Sequence, residues 1–581
     1  MDKRREKGNV LWVSPLRRRE SIPFFFFIED DVIFPCVCGR DISPRGNLKG
    51  DNLSPSETIL SFTRGNCIRS PMTNFQRFAF LSLPLKETEP LSASELKKKI
   101  KSGHALANLA EKTVDLLVRE RAHLVKMLKE HNKRKTFTND MLTQMEETTM
   151  NYISLLAGIC QPPVREEVGG SDPSGAAGAE QGDALALAAL SSSLRSSSIA
   201  STAEESIRFI PLFIWTDSGS GQVVASRDVL YELHCQLLNW SLFLLSYAAY
   251  QANAQDEVSR LSAYKALQQA AGVLEFVSGQ LAPRLQTSIF LKWPPPFPAT
   301  DSSIESKLSL APLDLHPAFI LGLGRLALGA AAEMTAARAI EKGVTMSLQC
   351  AVRQGVAAYY NMAANCWGET PKTKTKSSTD RFLKDKKMTN LLHAFATWKE
   401  GRMRGFALLA WGLQCRSTGG ELNEQSCREV AGICAKAATF LEKKEKDDCK
   451  RVVSAWISNR AFISIGKDEK RGKKPDLKEL QQDYADLLSA FEQLQTEVTQ
   501  ELNGVFFSSA LDTWPDMPAG QFLAKATVFE EPRPHAHWKG TVLSAFDLKP
   551  SSEQQKLAAA LEKKQEKSEL SKIMAEQCTI Q

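Results

Sequence analysis

Four stretches of this 581-residue chain, Arg227 to Ala254, Val258 to Gln280, Pro317 to Lys342 and Thr345 to Trp367, are long, helical in pattern and rich in small side chains. Ala248, Ala249, Ala270, Ala271, Gly272 and Ala330 to Ala332 let neighbouring helices approach closely, so the chain is constrained to a packed array or bundle. Apolar residues also recur three and four apart from Ser94 to about Ile159: Leu106, Leu109, Val114 and Leu117, then Leu124, Met127 and Leu128. Two or three long helices are expected there. Further helices are read near Leu391 to Arg416 and Ser426 to Lys446, and a long one from about Asp476 to Leu502 stops at Asn503-Gly504.

Two β-leaning runs interrupt this pattern. Phe78 to Leu83 is a short strand ended by Pro84, and Ile207 to Trp215 is closed by the turn-forming Asp217-Ser218-Gly219-Ser220-Gly221. The second run is placed to pair with the first. The expected fold class is therefore mainly all-α, an elongated helical solenoid or bundle with a small β element and no strict repeat.

Composition narrows the function classes. The formal charge of +6 is a mild excess on so long a chain, so no dominant nucleic-acid footprint is implied. A 43% hydrophobic and 24% charged composition excludes a wholly disordered or collagen-like chain. The twelve cysteines include no Cys-x-x-Cys pair, which argues against a zinc ribbon or disulfide scaffold and for a reducing compartment. Leu237 to Ala252 is too short for a comfortable membrane span, and Ala318 to Ile340 is broken by Arg325, Glu333 and Arg338; both read as buried helices. The short apolar run Ile22 to Ile28 meets Glu29, Asp30 and Asp31 at once, which is not a secretory signal. A cytoplasmic chain is expected.

The domain reading has three parts. Residues 1–71, with Arg17 to Arg19 and the run Phe24 to Phe27, are either a disordered leader or an extension upstream of a working start at Met72. Residues 72–540 form the main domain, with flexible insertions near 164–204, rich in Ala, Gly and Ser, and near 371–387, rich in Lys and Thr. Residues 541–581 form a charged helical tail. In Ser551 to Met574, Lys556, Lys563, Lys564, Lys567 and Lys572 are nearly balanced by Glu553, Glu562, Glu566 and Glu569, so this segment reads as a solvated spacer helix, not a polybasic membrane clamp.

The last four residues, Cys578-Thr579-Ile580-Gln581, fit the C-a-a-X prenylation pattern, and a terminal Gln favours a farnesyl group on the Cys578 thiol. One such chain gives only marginal, reversible membrane attachment, so a second contact is needed from the folded body, a partner or an assembly already on the membrane.

Catalytic signatures are weak. Gly322-Leu323-Gly324 lacks the third glycine of a dinucleotide loop and lies in a helical pattern, and Gly466-Lys467 and Gly472-Lys473-Lys474 lack the rest of a phosphate-binding loop. Ser218-Gly219-Ser220-Gly221 lacks the glycine two before Ser220 that a nucleophile elbow requires. His535-Ala536-His537 has no accompanying ligand set, and Cys36 and Cys38 fall in the leader. No catalytic residue, metal site or cofactor is expected beyond the covalent farnesyl group.

From Phe78 to Pro532 the chain resembles the BRO1 domain family of endosomal-sorting adaptors. Phe80-Leu81-Ser82-Leu83-Pro84-Leu85-Lys86-Glu87-Thr88 is similar to that family's opening, and Phe213-Ile214-Trp215-Thr216-Asp217 to its central Trp-x-Asp segment. Leu238-Asn239 with Ala248 and Ala249, Ala270-Ala271-Gly272-Val273-Leu274-Glu275-Phe276, Leu326 to Glu333, and Val505-Phe506-Phe507 to Trp514-Pro515 follow in the family's order. At Glu333 the family often has Ala-Gln-Ala-Gln-Glu where this chain has Gly-Ala-Ala-Ala-Glu. A chain that stops soon after this domain and ends in a prenylation box looks like the BROX-type members.

The resemblance implies a curved helical domain with a TPR-like centre, whose apolar groove takes the amphipathic C-terminal helix of an ESCRT-III subunit. It implies a non-enzymatic, monomeric adaptor, peripherally attached to endosomal membranes in multivesicular-body protein transport, with no nucleic-acid partner. Groove candidates are Leu267, Leu274, Val277, Leu281 and Leu285, with a core role as the competing reading for each. The alternative function is a helical scaffold for a small GTPase or a cytoskeletal partner.

Overall fold

The computed structural model describes residues 78–133, 136–160, 207–219, 221–254, 256–286, 312–368, 387–417, 423–456, 462–465, 476–512, 516–538 and 542–546. The leader, the 164–204 insertion, all of the 371–387 segment but Lys387, the tail helix and Cys578 lie outside the described residues.

Nine long helices carry the fold among the described residues: α1 Ala107–Lys133, α2 Asn139–Cys160, α3 Val229–Gln251, α4 Glu257–Phe276, α5 Pro317–Glu341, α6 Met346–Trp367, α7 Lys387–Ser417, α8 Glu424–Ala455 and α9 Leu477–Glu501. Each packs against the next in chain order. The fold is mainly helical, as the small-residue periodicity requires.

Local sequence sets where the helices begin. Asp228, Asp256, Thr345, Asn423 and Asp476 each accept a hydrogen bond from a first-turn backbone N–H, at α3, α4, α6, α8 and α9 respectively. Pro317 opens α5, where its missing N–H costs nothing. Helix α3 lies in the middle of the core, every residue but Tyr250 being buried. α5 is the one described helix long and apolar enough to cross a membrane, and most of it is buried against its neighbours.

Two helix ends differ from the sequence reading. α4 continues through the π-helical Val277–Leu281 into Ala282–Gln286, past the expected end at Gln280. α9 likewise continues through the π-helical Leu502–Phe506, so Asn503-Gly504 lies inside the wider turn. The left-handed terminating position falls instead on Phe507, at φ 54°.

The strands are shorter than their apolar runs, and pair differently. β1, Ala79–Ser82, is antiparallel to β4, Phe462–Ile465, a partner the sequence does not announce. β2, Phe213–Thr216, forms a hairpin with β3, Val223–Ser226, around the Asp217–Gly221 turn. Pro211 holds the chain out of β2 until Phe213, and Pro84 ends β1. The expected pairing of the two runs does not form; the chain instead meets β2 five residues beyond Leu83, where Thr88 bridges Trp215 and Glu89 donates its N–H to the Ile214 carbonyl at 3.3 Å.

Beyond α9, residues 507–512 and 516–538 form an extended strap lying in turn on α8, α6, α4 and α2. The N–H groups of Leu511, Gln521, Thr527 and His535 donate to the carbonyls of Arg428, Ala351, Gln268 and Ser154, at 3.0, 2.9, 3.0 and 2.9 Å. A glycine marks each seat. A Cβ on Gly432, Gly355 or Gly272 would lie 2.2, 1.9 or 1.6 Å from a strap carbonyl oxygen, and one on Gly158 would lie 2.2 Å from the Trp538 ring.

Candidate docking site and its buried supports

Several of the residues that carry the sequence resemblance form buried polar scaffolding. Lys86 Nζ sits 2.7 Å from Asp314 Oδ2 with both side chains fully buried, and the Lys86 backbone N–H donates to Asn239 Oδ1 at 2.7 Å. Burial pulls the Lys86 pKa down, but the Asp314 carboxylate more than offsets it and the ammonium stays charged. Asp217 accepts from the N–H groups of Gly219, Leu313 and Asp314, tying the hairpin turn to the entry of α5.

A second network centres on Glu232 of α3. It accepts from Arg121 of α1 at 2.8 Å, Tyr152 of α2 at 2.8 Å and Trp215 of β2 at 2.5 Å. Arg121 also donates to the Thr88 hydroxyl at 2.6 Å and to the Glu89 carbonyl. A third joins α5, α6, α7 and α9: Glu333 accepts from Lys399 at 2.7 Å, Arg402 at 2.9 Å and Tyr360 at 2.7 Å, while Arg402 lies 2.8 Å from Asp483. Burial, helped by Arg402, holds the Lys399 ammonium down at about 8 despite the Glu333 carboxylate.

These networks fix helix orientation; they are closed to solvent and offer no reactive group. Burial pushes the thiols of Cys350, Cys415 and Cys427 up to about 11 and those of Cys160, Cys434 and Cys449 up to about 12, away from the thiolate a nucleophile needs. No group of three or more His, Cys, Asp or Glu side chains able to hold a metal ion occurs among the described residues. His535 and His537 stand edge to face, 4.8 Å apart, at the end of the strap.

The five sequence candidates for a partner groove lie inside the fold. Leu267 and Leu274 are on α4, Val277 and Leu281 in its π-helical extension and Leu285 in the following turn, and all five are 0% exposed. They hold α4 against its neighbours. Gly324 of α5 comes close enough that a Cβ there would lie 3.5 Å from Leu274 Cβ. A partner could touch these side chains only if α4 moved.

Exposed large apolar side chains occur along and beside the strap, at Val505, Phe507, Phe522, Leu523 and Val528, and at one end of the stack, where α4 and α6 begin and α5 ends. Val258 is 70% and Leu261 43% exposed, on the side of α4 roughly opposite its buried stripe of Ala263, Leu267, Ala270 and Leu274. Ile340 near the end of α5, and Met346 and Leu348 at the start of α6, are partly exposed beside them. Two ion pairs bind α4 to α5 at this end, Arg260 to Glu341 at 2.6 Å and Arg338 to Glu257 at 2.5 Å. The four-residue connection Lys342 to Thr345 is closed by Gly343 at φ 65° and capped by Thr345, so the start of α6 is fixed close to the end of α5. The result is an apolar belt with a charged rim, chemically suited to one face of an amphipathic helix. Val258 and Leu261, three apart and off the core stripe, are a signal present in the sequence that periodicity alone assigns to nothing.

A family model described as BRO1-like domain matches residues 202–503, just over half of the chain. A search of the curated proteins finds no match. Among solved structures, the BRO1 domain of ALIX in complex with CHMP4C is 14% identical, covering 79% of this chain and 97% of that one at a TM-score of 0.47. ALIX in complex with the SIVmac239 PYKEVTEDL late domain is 16% identical, covering 86% and 55% at 0.45. A structure described as the basis for endosomal targeting by the Bro1 domain is 13% identical, covering 83% and 99% at 0.45.

Proposed function

This chain belongs to the BRO1-like domain family, and on that premise we propose that it is a non-enzymatic adaptor of the endosomal sorting system that binds the amphipathic C-terminal helix of an ESCRT-III subunit. The observation that carries this reading is the belt of Val258, Leu261, Ile340, Met346 and Leu348, apolar side chains left accessible on helices that otherwise bury such residues. An incoming helix would place anchors at i, i+3, i+4 and i+7 on this belt, with Arg260, Glu341, Arg338 and Glu257 setting its direction. Leu267, Leu274, Val277, Leu281 and Leu285 then act from beneath, keeping α4 in place.

Membrane attachment is assigned to a farnesyl group on Cys578, as in BROX-type members of the family, and the working location is the cytoplasmic face of endosomes. One lipid chain binds weakly, so an adaptor and a filament subunit held on the same membrane gain from each other's effective concentration.

The test is capture of the protein by immobilised ESCRT-III C-terminal peptides, together with membrane fractionation of wild type and Cys578→Ser. The reading expects capture of both proteins and a shift of the variant into the soluble fraction. Failure of every such peptide to retain the wild type overturns the adaptor assignment.

A further inference from the structure

The outer face of α1 carries a net basic excess. Lys112, Arg119, Lys126 and Lys133 recur every seven residues, two turns apart, all exposed, while Val114, Leu117, Leu124 and Leu128 on the other side are buried. With Lys129 and the four lysines from Lys97 to Lys101, the segment 97–133 carries nine solvent-reached cations against four carboxylates, an excess of five on a chain whose total is +6. The buried Arg121 is left out of that count because Glu232 matches its charge. Lys97 pairs with Asp115 and Arg119 with Glu120, but among the described residues no ion pair engages Lys112, Lys126, Lys129 or Lys133. Exposed Glu111, Asp115 and Glu130 stand among these cations, so both signs are present, but the segment as a whole keeps the basic excess.

The position of the chain's exit is a second, independent observation. The last described residue, Phe546, bridges Ile100, the Lys101 N–H donates to the Ala545 carbonyl at 2.8 Å, and Lys101 Nζ donates to the Ser544 carbonyl at 2.9 Å. The 31 residues between Phe546 and Cys578 therefore start beside the lysine cluster at the head of α1. A lipid on Cys578 is thus tethered from the end of the molecule that carries these lysines.

We infer that this basic face of α1 is an anionic-membrane contact, the second attachment that a single farnesyl chain requires. This deepens the adaptor reading and rests on it. The recognised chemistry is the phosphate and carboxylate headgroups of a negatively charged leaflet. The α1 cations, spaced about 10 Å apart on a helix rising ~1.5 Å per residue, would sit parallel to it, within about one Debye length.

The experiment uses the full chain made without a prenyltransferase, so that lipid anchoring does not contribute. Sedimentation with vesicles of phosphatidylcholine alone, or mixed with phosphatidylserine, compares wild type, the triple variant Lys112→Glu, Lys126→Glu, Lys133→Glu, and a control of equal net charge, Lys443→Glu, Lys446→Glu, Lys450→Glu on α8. Wild type and control should bind the phosphatidylserine vesicles in a salt-sensitive way, and the α1 variant should bind at least about a hundred-fold more weakly. If that variant melts early, Lys→Gln at the same three positions replaces it, with a loss on the order of a hundred-fold expected. Equal binding by the α1 variant, equal loss in the control, or wild-type retention by single-stranded RNA but not by these vesicles overturns the inference. Capture by ESCRT-III peptides, unchanged in all three proteins, reports separately on the docking belt.

Discussion

The carbonyl oxygen of Thr527 lies 1.6 Å from where a side chain on Gly272 would begin. The strap can rest on α4 only because that position carries hydrogen alone, and its next hold is the bond from the Thr527 N–H to the Gln268 carbonyl, one helical turn earlier. Gly272→Ala gains up to about 1 kcal/mol of helix propensity, but the obstruction is backbone, which cannot swing aside, so overpacking of about 1–3 kcal/mol should dominate. The expected outcome is a lower melting temperature and faster proteolysis between Met517 and Glu531. A variant at least as stable as wild type would show that the strap has room to lift.

Glu232 accepts from Arg121, Tyr152 and Trp215 on three other elements and from Gln236 on its own helix, so its loss strands a guanidinium in the core. Glu232→Ala should cost about 3–5 kcal/mol, as expected when one partner of a buried pair is removed. A denaturant midpoint within error of wild type would contradict the role given to it. Replacing Arg121 and Glu232 together by apolar residues should recover part of the loss.

Lys399 sets a pH dependence of known sign. Its ordinary value is near 10.5 and burial lowers it to about 8 in the fold, so between those values the unfolded chain binds more protons than the native one. Lys399 therefore adds stability as pH increases from about 8 towards 10.5, against the buried thiols, whose raised values work in the opposite direction, and Lys399→Met should remove that gain and leave a steeper fall. Thermal melts in matched ionic strength across this window read the effect; a fall with rising pH in the wild type that Lys399→Met removes has the wrong sign.

The helices were legible because their signals are local. Asp228, Asp256, Thr345 and Asp476 mark their own helix starts, and Ala270 to Phe276 shows its close packing in the bare sequence. β1 was legible as a strand, but its pairing with Phe462–Ile465 was not, since register between segments nearly four hundred residues apart leaves no mark in either. The strap was illegible for a related reason: its glycine seats look like ordinary helix glycines until residues 507–538 are laid across them. The groove candidates that the resemblance implies lie on a helix face of the kind that periodicity marks as a buried stripe, and Leu267, Leu274, Val277, Leu281 and Leu285 are buried. A docking belt shows instead as apolar residues off the stripe, and in sequence Val258 and Leu261 resemble the scattered surface hydrophobics of any protein.

Surface and core leucines on α4 should therefore respond differently to the same substitution. Leu274→Asp buries a charge at a fully enclosed site and should unfold the domain, with a loss well above the 2–5 kcal/mol of a simple truncation. Leu261→Asp should leave the circular dichroism spectrum and melting temperature close to wild type. Comparable destabilisation by both would mean that the outer side of α4 is covered.

The most direct measurement is a fluorescence titration of an ESCRT-III C-terminal helix with wild type and with the double variant Leu261→Asp, Ile340→Asp, both checked for an unchanged melting temperature. The account expects saturable binding by the wild type and at least about ten-fold weaker binding by the folded variant, the loss of two apolar anchors. Equal affinity in the two proteins would contradict it by placing the docking site somewhere other than the belt between α4, α5 and α6.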